Sequence, residues 1–364
     1  MQRNTRIKIF ITTFILICTG MVMLYSTSSI WAWEQYGDGF YFLKRHLLFL
    51  LIGACLTFLA MCFDYRKLQQ LAKPLLLGSA LLLVLVLMPG LGREVAGARR
   101  WFRLGPIGFQ PSELAILAMI IYIADFLTRR AKRVLDPVKG FLPPIAVMGA
   151  VCLLILMQPD FGTVLALATV VMVMIFVAGA RLRHLATLFL AAIPFLYLLI
   201  FRVPYRRLRV MGFLNPWADP RGAGFQLIQS QVALGSGGIF GVGLGHSRQK
   251  LFYLPAAHTD FIFSIIGEEL GLVGTLGVIF LFALLIYLGF KLVKNTRERF
   301  GFFLGLGIML MISLKAAINI GVSCGVFPTK GLPLPFISYG GTSLVLDMIG
   351  IGIVMNISRC EENP

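Results

Sequence analysis

Ten long apolar runs constrain this chain more than any other feature of its sequence. They lie at about 8–30, 46–63, 74–91, 112–128, 141–157, 162–179, 185–202, 260–291, 301–326 and 336–358. A helix needs roughly 20 apolar residues to cross a bilayer, and a chain that is 58% hydrophobic and only 13% charged is too apolar for a soluble domain. We therefore predict an all-α polytopic integral membrane protein with about ten transmembrane helices in a single domain, 1–364.

The distribution of basic residues predicts how these helices are oriented. With the N-terminus inside, the cytoplasmic segments hold more than half of the 33 Lys and Arg residues, as the positive-inside bias requires. Both termini then face the cytoplasm, and residues 203–259 form a large extracytoplasmic loop between helices seven and eight. We attribute much of the net charge of +17 to anchoring against anionic lipid, and we predict no nucleic-acid binding.

The six cysteines include no C-x-x-C pair, and most lie within the predicted spans. A Cys in a span behaves as a small hydrophobic residue, so we predict neither a disulfide framework nor a zinc site. No cytoplasmic loop is long enough for an ATP-binding module. The substrate or an ion gradient must therefore supply the energy for any work, and no cofactor is evident.

Three carboxylates fall within the predicted hydrocarbon region, where their cost implies a partner or a polar cavity. Lys315 has a similar predicted depth and is their expected partner. Two interpretations remain open, a buried ion pair that orders the helices and a direct role in substrate or proton passage. Asp260, Ser264 and Glu268 recur at i, i+4 and i+8, which predicts a polar stripe leading inward from the loop. The predicted intramembrane polar cluster comprises Ser264, Glu268, Glu269, Lys315 and Asp347.

Asp260 stands where the long loop meets the eighth predicted helix. An acid at a membrane boundary, beside a basic and glycine-rich segment, suits chemistry on an amphiphilic, anionic substrate. Within the loop, Arg202, Arg206 and Arg209 recur at i, i+4 and i+7. This spacing predicts a short interfacial helix that either grips phosphate or anchors to lipid headgroups.

The glycine-rich run at 235–245 superficially resembles a nucleotide-binding loop. It lacks a G-K-[ST] ending and a strand-turn-helix context, so we reject that interpretation. A packing turn and a flexible backbone that approaches a pyrophosphate both remain open. Just before this run, Gln226, Gln229 and Ser230 share one helical face that suits sugar hydroxyls.

The outer segment 97–113 departs from the positive-inside bias, because it carries Arg99, Arg100 and Arg103 beside two aromatic residues. Arginine forks that bind a polyanionic ligand head would explain the departure. Arginines that extend to the interface around an aromatic belt would explain it equally well. The position of the segment does not distinguish the two.

Several motifs occur together and in order along nearly the whole chain. They lie at 99–113, 158–163, 215–245, 247–255, 258–263, 267–271 and 333–341. The set resembles the SEDS family (shape, elongation, division and sporulation), the bacterial peptidoglycan polymerases that include FtsW, RodA and SpoVE. The segments at 215–217 and 247–250 look more like the FtsW and SpoVE branch than the RodA branch.

The resemblance implies ten helices and a glycosyltransferase that polymerises lipid II into β-1,4-linked glycan strands with release of undecaprenyl pyrophosphate. The essential acid of the family falls on Asp260, whose implied role is general base in an inverting reaction. The implied cofactor is at most a divalent cation, Mg²⁺ or Mn²⁺, near Asp260. The residues expected to bind substrate are Arg99, Arg100, Arg103, Glu113, Gln226, Arg248, Lys250 and His258.

One departure from the family pattern lies at Ile116, where the family usually carries a lysine three residues after Glu113. Another cation must then take its place, or the protein is slower or specialised. The resemblance also implies a class B penicillin-binding protein and other divisome proteins as partners, and a place in the bacterial cytoplasmic membrane at the division septum or in sporulation. A lipid II flippase and a non-catalytic scaffold remain alternatives.

Overall fold

The structure, a computed structural model, describes residues 2–95, 97–105, 107–130, 136–251 and 253–362. Helices dominate this part of the chain: α1 Gln2–Tyr36, α2 Tyr41–Cys62, α3 Arg66–Leu87, α4 Pro111–Arg129, α5 Leu142–Leu156, α6 Phe161–Val177, α7 Leu182–Phe201, α8 Pro204–Leu214, α9 Phe225–Ser236, α10 Ile262–Lys294, α11 Arg299–Ser323 and α12 Gly341–Glu362. Nine of the described helices are long and apolar enough to cross a bilayer, and the shorter apolar helix α6 is a tenth candidate. The prediction of about ten transmembrane helices is confirmed.

Helices α4, α11 and α12 lie at the centre of the bundle, where most of their residues are buried, whereas α7 is exposed along its length. Helix α11 contacts α4, α6, α10 and α12, and α12 packs along α2. Small residues permit these close approaches: a side chain at Gly307 would collide with Ile120 of α4 and Met174 of α6. Such small-residue contacts drive helix association in lipid, where burial of apolar surface adds little.

Residues 93–109 add a small sheet that the helical prediction did not include. Strands β1 Arg93–Val95, β2 Ala98–Leu104 and β3 Ile107–Phe109 are antiparallel in the order β1-β2-β3. Gly97 and Gly105 lie between them with φ of 75° and 61°, a region that favours glycine. The sheet holds the arginines of this outer segment on a defined surface.

Helix α10 begins at Ile262 and is broken at Gly271, where φ is 67° and ψ is −161°. The glycine-rich segment packs into this break. The backbone nitrogens of Val242 and Gly243 donate to the carbonyls of Glu268 (3.0 Å) and Glu269 (3.1 Å), and Leu272 N donates to Gly238 O (2.9 Å). Backbone groups freed by a helix break inside a membrane need such partners.

This pairing decides between the two interpretations of the glycine-rich run. A Cβ on Gly241 or on Gly271 would collide with the backbone of the other segment, so the run is a packing turn. The N–H groups of Val242 and Gly243 are engaged by α10, so the pyrophosphate interpretation of these groups is wrong. Gly271 lies nine residues into α10, about 13 Å from its outer end. The segment 203–259 is therefore not a simple outer loop, because part of it re-enters to this depth.

The remainder of 203–259 carries the helices α8 and α9 and a short 3-10 turn, Pro216–Ala218. Helix α8 confirms a short helix that carries Arg206 and Arg209, whereas Arg202, also predicted to lie on it, ends α7. Its Gly212 packs directly on the backbone of Ala223, which holds α8 against the segment that leads into α9. This packing fixes where the α8 arginines lie relative to the bundle.

Candidate active site

Asp260 lies in a turn immediately before α10, at one end of the bundle. The backbone nitrogens of Thr259 and Asp260 both donate to Ala256 O at 3.1 Å, and Ala256 itself has φ of 56°. An alanine at positive φ is strained. The turn therefore holds the Asp260 backbone in a specific orientation at the mouth of the bundle.

Asn319 of α11 fixes the turn to the loop that precedes α12. Its side-chain nitrogen donates to the backbone oxygens of Asp260 (2.9 Å) and Leu332 (2.8 Å). This double contact brings Gly331 against the Asp260 carboxylate: a Cβ built on Gly331 would lie 3.2 Å from Asp260 Oδ2. The position of the acid thus depends on a residue of another helix.

The surroundings of Asp260 tune its basicity. Burial raises the pKa of its carboxyl to about 6, Arg209 and Arg100 oppose the increase, and the negative charge of Asp160 adds to it. The side chain nevertheless remains partly accessible to solvent. A carboxylate with this pKa is ionised at neutral pH and is basic enough to accept a proton from a reacting group.

Asp160 is the second acid of the site. It caps the N-terminus of α6, with Oδ1 accepting from Thr163 N at 3.2 Å. Burial raises the pKa of Asp160, and the guanidinium of Arg100 opposes this. Arg100 is held in place by hydrogen bonds to the backbone oxygens of Gln158 (2.7 Å) and Pro159 (2.6 Å).

Four cationic side chains surround these acids, and we call them the cationic rim: Arg100, Arg206, Arg209 and Lys330. Arg206 and Lys330 both approach the ring of Phe161, at 5.7 and 5.8 Å from its centre. Arg209 donates to Thr329 O at 3.3 Å. Burial lowers the pKa of Lys330. Helix α8, strand β2 and the loop before α12 therefore present positive charge near Asp260.

The other predicted arginines lie apart from this rim. Arg99 pairs with Glu94 across the sheet at 3.3 Å, and Arg103 donates to Gly105 O at 3.4 Å. Arg248 is exposed and Gln226 is half-buried on α9. No hydrogen bond or ion pair in the described part of the chain connects these four side chains to Asp260.

His258, two residues before Asp260, lies among aromatic rings. Its ring centre is 4.9 Å from that of Phe42, 5.9 Å from Trp31 and 6.0 Å from Tyr339. Burial lowers the pKa of His258 to about 4, so the ring is neutral at physiological pH. It therefore contributes apolar surface and no positive charge.

Lys250 is predicted to bind substrate, but the structure places it in a buried ion pair. Its ammonium donates to Glu269 Oε1 at 2.9 Å and to the hydroxyl of Ser26 at 3.1 Å. The Lys250 side chain is 3% exposed and that of Glu269 is not exposed. This ammonium ties the turn at 247–250 to α10 and α1, and a contact of Lys250 with substrate stays a prediction.

Glu268 caps the turn that carries Lys250. Its carboxylate accepts hydrogen bonds from the hydroxyl of Ser247 and from the backbone nitrogens of Arg248 (2.8 Å) and Gln249 (3.3 Å). Ser264, one turn earlier on α10, instead hydrogen-bonds the hydroxyl of Ser230 on α9 at 2.6 Å. The predicted polar stripe therefore faces protein.

Lys315 forms a second, separate buried cluster. Its ammonium donates to Glu113 (2.7 Å), Asp347 (3.0 Å) and the hydroxyl of Ser343 (3.0 Å). The expected pairing with Asp347 is confirmed. The prediction that Lys315 is also the partner of Glu268 and Glu269 is wrong, because those acids face another side of the bundle.

Glu113 is also predicted to bind substrate, and it too lies in a buried ion pair. The residue is 4% exposed, and its carboxylate is held by Lys315. Ile116 lines the same small cavity of about 30 Å³ as Glu113, Lys315 and Asp347. The cation beside Glu113 is therefore supplied by α11 and not by position 116 of α4.

Within the described residues, no group of three or more His, Cys, Asp and Glu side chains has a geometry that would hold a metal ion. The donor set around Asp260 does not match a resident metal site built by the protein alone. The predicted divalent cation stays a prediction.

Sequence reasoning missed three residues as members of the site: Asp160, Asn319 and Lys330. Asp160 had a detectable signal, because it follows Gln158 and Pro159 directly before an apolar run, where an acid caps a helix. Asn319 had none, since a single Asn inside an apolar span does not identify its partner. Lys330 gave no signal either, since a single lysine in a short loop does not identify its neighbours.

The chain is similar to proteins of known family over nearly its whole length. The family model described as "Cell cycle protein", which covers FtsW, RodA and SpoVE, matches residues 6–363. A Geobacter sulfurreducens (strain DL-1 / KN400) protein named "Probable peptidoglycan glycosyltransferase FtsW" is 46% identical over 343 residues, 94% of this chain and 92% of that protein. Stage V sporulation protein E of Bacillus subtilis (strain 168) is 43% identical over 349 residues, 96% of this chain and 95% of that protein.

Solved structures share the fold. A chain from work on the structural coordination of polymerization and crosslinking by a peptidoglycan synthase complex superimposes with a TM-score of 0.81 at 34% identity, covering 98% of both chains. The rod shape determining protein RodA of Thermus thermophilus superimposes with a TM-score of 0.70 at 31% identity, covering 96% of this chain and 95% of that one. The similarity therefore extends through every transmembrane helix and the loop that carries Asp260.

Proposed function

The chain belongs to the FtsW, RodA and SpoVE family of cell cycle proteins, and we propose that it is a peptidoglycan glycosyltransferase that polymerises lipid II with Asp260 as general base. One observation carries the assignment of the base. Asp260, with a pKa of about 6, lies at the outer end of the bundle beside the cationic rim. A base and a set of cations in one place are the two requirements for attack on a sugar pyrophosphate.

The reaction follows from this arrangement. Asp260 accepts the proton of the 4-hydroxyl of a lipid II GlcNAc while that oxygen attacks the anomeric carbon of the growing glycan. The bond between that carbon and the pyrophosphate oxygen breaks, and its electron pair leaves with undecaprenyl pyrophosphate. Attack from the opposite face inverts the centre and forms a β-1,4 linkage.

The leaving group defines the role of the cationic rim. Negative charge accumulates on the pyrophosphate as the bond breaks, and preorganised cations stabilise such charge most when water is partly excluded. Arg209 and Arg100 already act on Asp260 electrostatically. Arg206 and Lys330 both approach the ring of Phe161, the residue that follows Asp160. We assign these four residues to pyrophosphate binding, in place of the predicted Arg99, Arg103 and Lys250.

The polymerase is favoured over the flippase by the partners of the intramembrane acids. Glu268 and Glu269 bind the turn at 247–250, and Asp347 binds Lys315. Each of these acids is thus engaged in a contact between segments, as expected for groups that order helices. Transport would require them to release those partners during each cycle.

The similarity to a chain of a peptidoglycan synthase complex supports a two-enzyme assembly. We propose that this multi-pass membrane protein works with a class B penicillin-binding protein that cross-links its glycan, and with other divisome proteins. We further propose the bacterial cytoplasmic membrane, with both termini inside and the division septum as the place of action. The identity to Stage V sporulation protein E keeps a sporulation role as the alternative.

Purified protein and labelled lipid II test the assignment. Wild type with a candidate class B transpeptidase should make long glycans, and Asp260→Asn should make none. Asp38→Asn is the matched control, because Asp38 is an exposed outer-face carboxylate paired only with Lys44 and the Phe40 backbone. Elongation by Asp260→Asn would remove the proposed base. Translocation of lipid II without elongation by wild type would favour the flippase.

A further inference from the structure

Six aromatic rings form a continuous cluster at the outer face, beside the turn that carries Asp260. We call this cluster the aromatic platform, and it consists of Trp31, Tyr36, Tyr41, Phe42, His258 and Tyr339. The end of α1, the start of α2, the turn before α10 and the loop before α12 each contribute to it. Four separate segments therefore meet to build one aromatic surface.

The rings contact each other in sequence across the platform. Tyr36 and Tyr41 stack with centres 3.9 Å apart, and Tyr36 meets the edge of Trp31 at 6.0 Å. Phe42 contacts His258 at 4.9 Å and Tyr339 at 5.2 Å. The Trp31–Tyr36, Phe42–His258 and Phe42–Tyr339 pairs lie within the range of about 4.5–7 Å that aromatic pairs favour, so these contacts hold the rings in a defined arrangement.

The platform begins next to the proposed base. His258 is two residues before Asp260, which limits the separation of their Cα atoms to about 7 Å. The backbone of Tyr339 also donates to His258 O at 3.0 Å, which fixes the loop before α12 against the same turn. A chain that is extended at Asp260 would meet this surface first.

The exposure of the rings does not match a purely structural cluster. Phe42 is buried at 7% exposure, whereas Tyr36 is 51% exposed and Trp31, Tyr41 and Tyr339 are half-buried. Rings that serve only packing would be buried on both faces. Tyr36 therefore offers accessible aromatic surface at one edge of the platform.

Building on the proposed polymerase function, we propose that the aromatic platform binds the nascent glycan strand as it leaves Asp260. A pyranose ring has an apolar face of C–H groups bordered by hydroxyls, which matches the division of Tyr and Trp into ring and polar edge. The guanidinium of Arg45, 4.8 Å from the centre of the Tyr41 ring, adds hydrogen-bond donors at the margin. Retention of the strand here would let one chain be extended many times before release.

Glycan length measures this retention. Under the same conditions, Tyr36→Ala should make glycans about two- to tenfold shorter than those of wild type. This factor is the effect of losing one aromatic contact on a binding equilibrium. Tyr36→Phe keeps the ring and should retain wild-type length. Trp33→Ala is the matched control, because Trp33 is on the same helix, is 66% exposed and makes no ring contact in the described residues. Equal lengths for Tyr36→Ala and wild type would overturn the proposal.

A binding measurement separates this inference from the polymerase assignment. Chitohexaose, a β-1,4-linked GlcNAc oligomer, should bind the Asp260→Asn protein in zwitterionic nanodiscs. The double variant that also carries Tyr36→Ala should bind it about two- to tenfold more weakly. Unchanged affinity would overturn the platform even if Tyr36→Ala proves inactive. If wild type binds chitohexaose through Tyr36 but never elongates lipid II, the platform stands and the polymerase assignment fails. If Trp33→Ala and Tyr36→Ala lower the thermal midpoint alike and neither changes binding, the rings are interfacial anchors.

Discussion

Gly331→Ala tests whether the rate depends on where the Asp260 carboxylate lies. A Cβ at this position would be 3.2 Å from Asp260 Oδ2 and 3.8 Å from Oδ1, and the three nearest atoms all belong to the Asp260 side chain. Ordinary carbon contacts lie at about 3.5–4.0 Å, so the carboxylate must move by a few tenths of an ångström. Gly331 has no positive φ, so alanine adds no backbone strain.

The size of the effect follows from that displacement. A misplacement of about 1 Å costs about 100-fold in rate. On a logarithmic scale, a shift of about one third of an ångström then costs about fivefold, or ~1 kcal/mol of transition-state stabilisation. The carboxylate keeps its charge and its partners, so we expect kcat to fall while binding of lipid II changes little.

The assay is the initial rate of lipid II consumption with the cognate transpeptidase present, with the thermal midpoint measured in parallel. Gly78→Ala on α3 is the matched control, because a Cβ there meets no atom within 4 Å. Its rate should equal that of wild type. A wild-type rate for Gly331→Ala, or a fivefold loss in both variants, would refute the proposed dependence on carboxylate position.

Three further outcomes follow from the charges. The initial rate should rise with pH through a midpoint near 6, because Asp260 has a pKa of about 6 and acts as a base only when deprotonated. A midpoint near 4 would contradict the assignment of Asp260 as the base. Arg209→Gln removes the cation that most lowers that pKa, so the midpoint of the rate profile should move to higher pH. Lys315→Met leaves two buried acids without their cation and should destabilise the protein by about 3–5 kcal/mol in thermal unfolding. Lys44→Met removes only an exposed pair and should leave the unfolding temperature unchanged.

The transmembrane helices were predictable because the bilayer imposes their length and composition. A run of about 20 apolar residues has few alternatives in lipid. Asp260 was also identifiable as a candidate site residue, since an acid at the end of such a run is unusual. Helix α8 followed from the spacing of its arginines.

The pairing of the intramembrane charges was not predictable from depth. Lys315 and Glu268 lie at similar depths, but depth does not specify the direction in which a side chain points around a helix axis. The partner of Glu269 is Lys250, which reaches it only because the preceding glycine-rich segment re-enters at the break in α10. A loop assumed to lie outside cannot supply such a partner.

The direction in which each side chain points also separates the predicted binding residues into two groups. Arg100 lies near Asp160 and Asp260, whereas Glu113 and Lys250 are engaged in buried ion pairs. Residue type and predicted topology made all three residues candidates for substrate binding. Which ones face the ligand depends on the neighbours that each side chain meets first.

By itself, the sequence determined the membrane as the solvent of this protein, the approximate number of its helices and its family, because apolar length and motif order are properties of the chain. Tertiary structure decided the partner of each buried charge, the re-entrant turn, the cationic rim and the aromatic platform. Each of these joins segments far apart in sequence, and hydrogen bonds and ion pairs form only over a few ångströms. Only the packing of the helices brings such groups within that range.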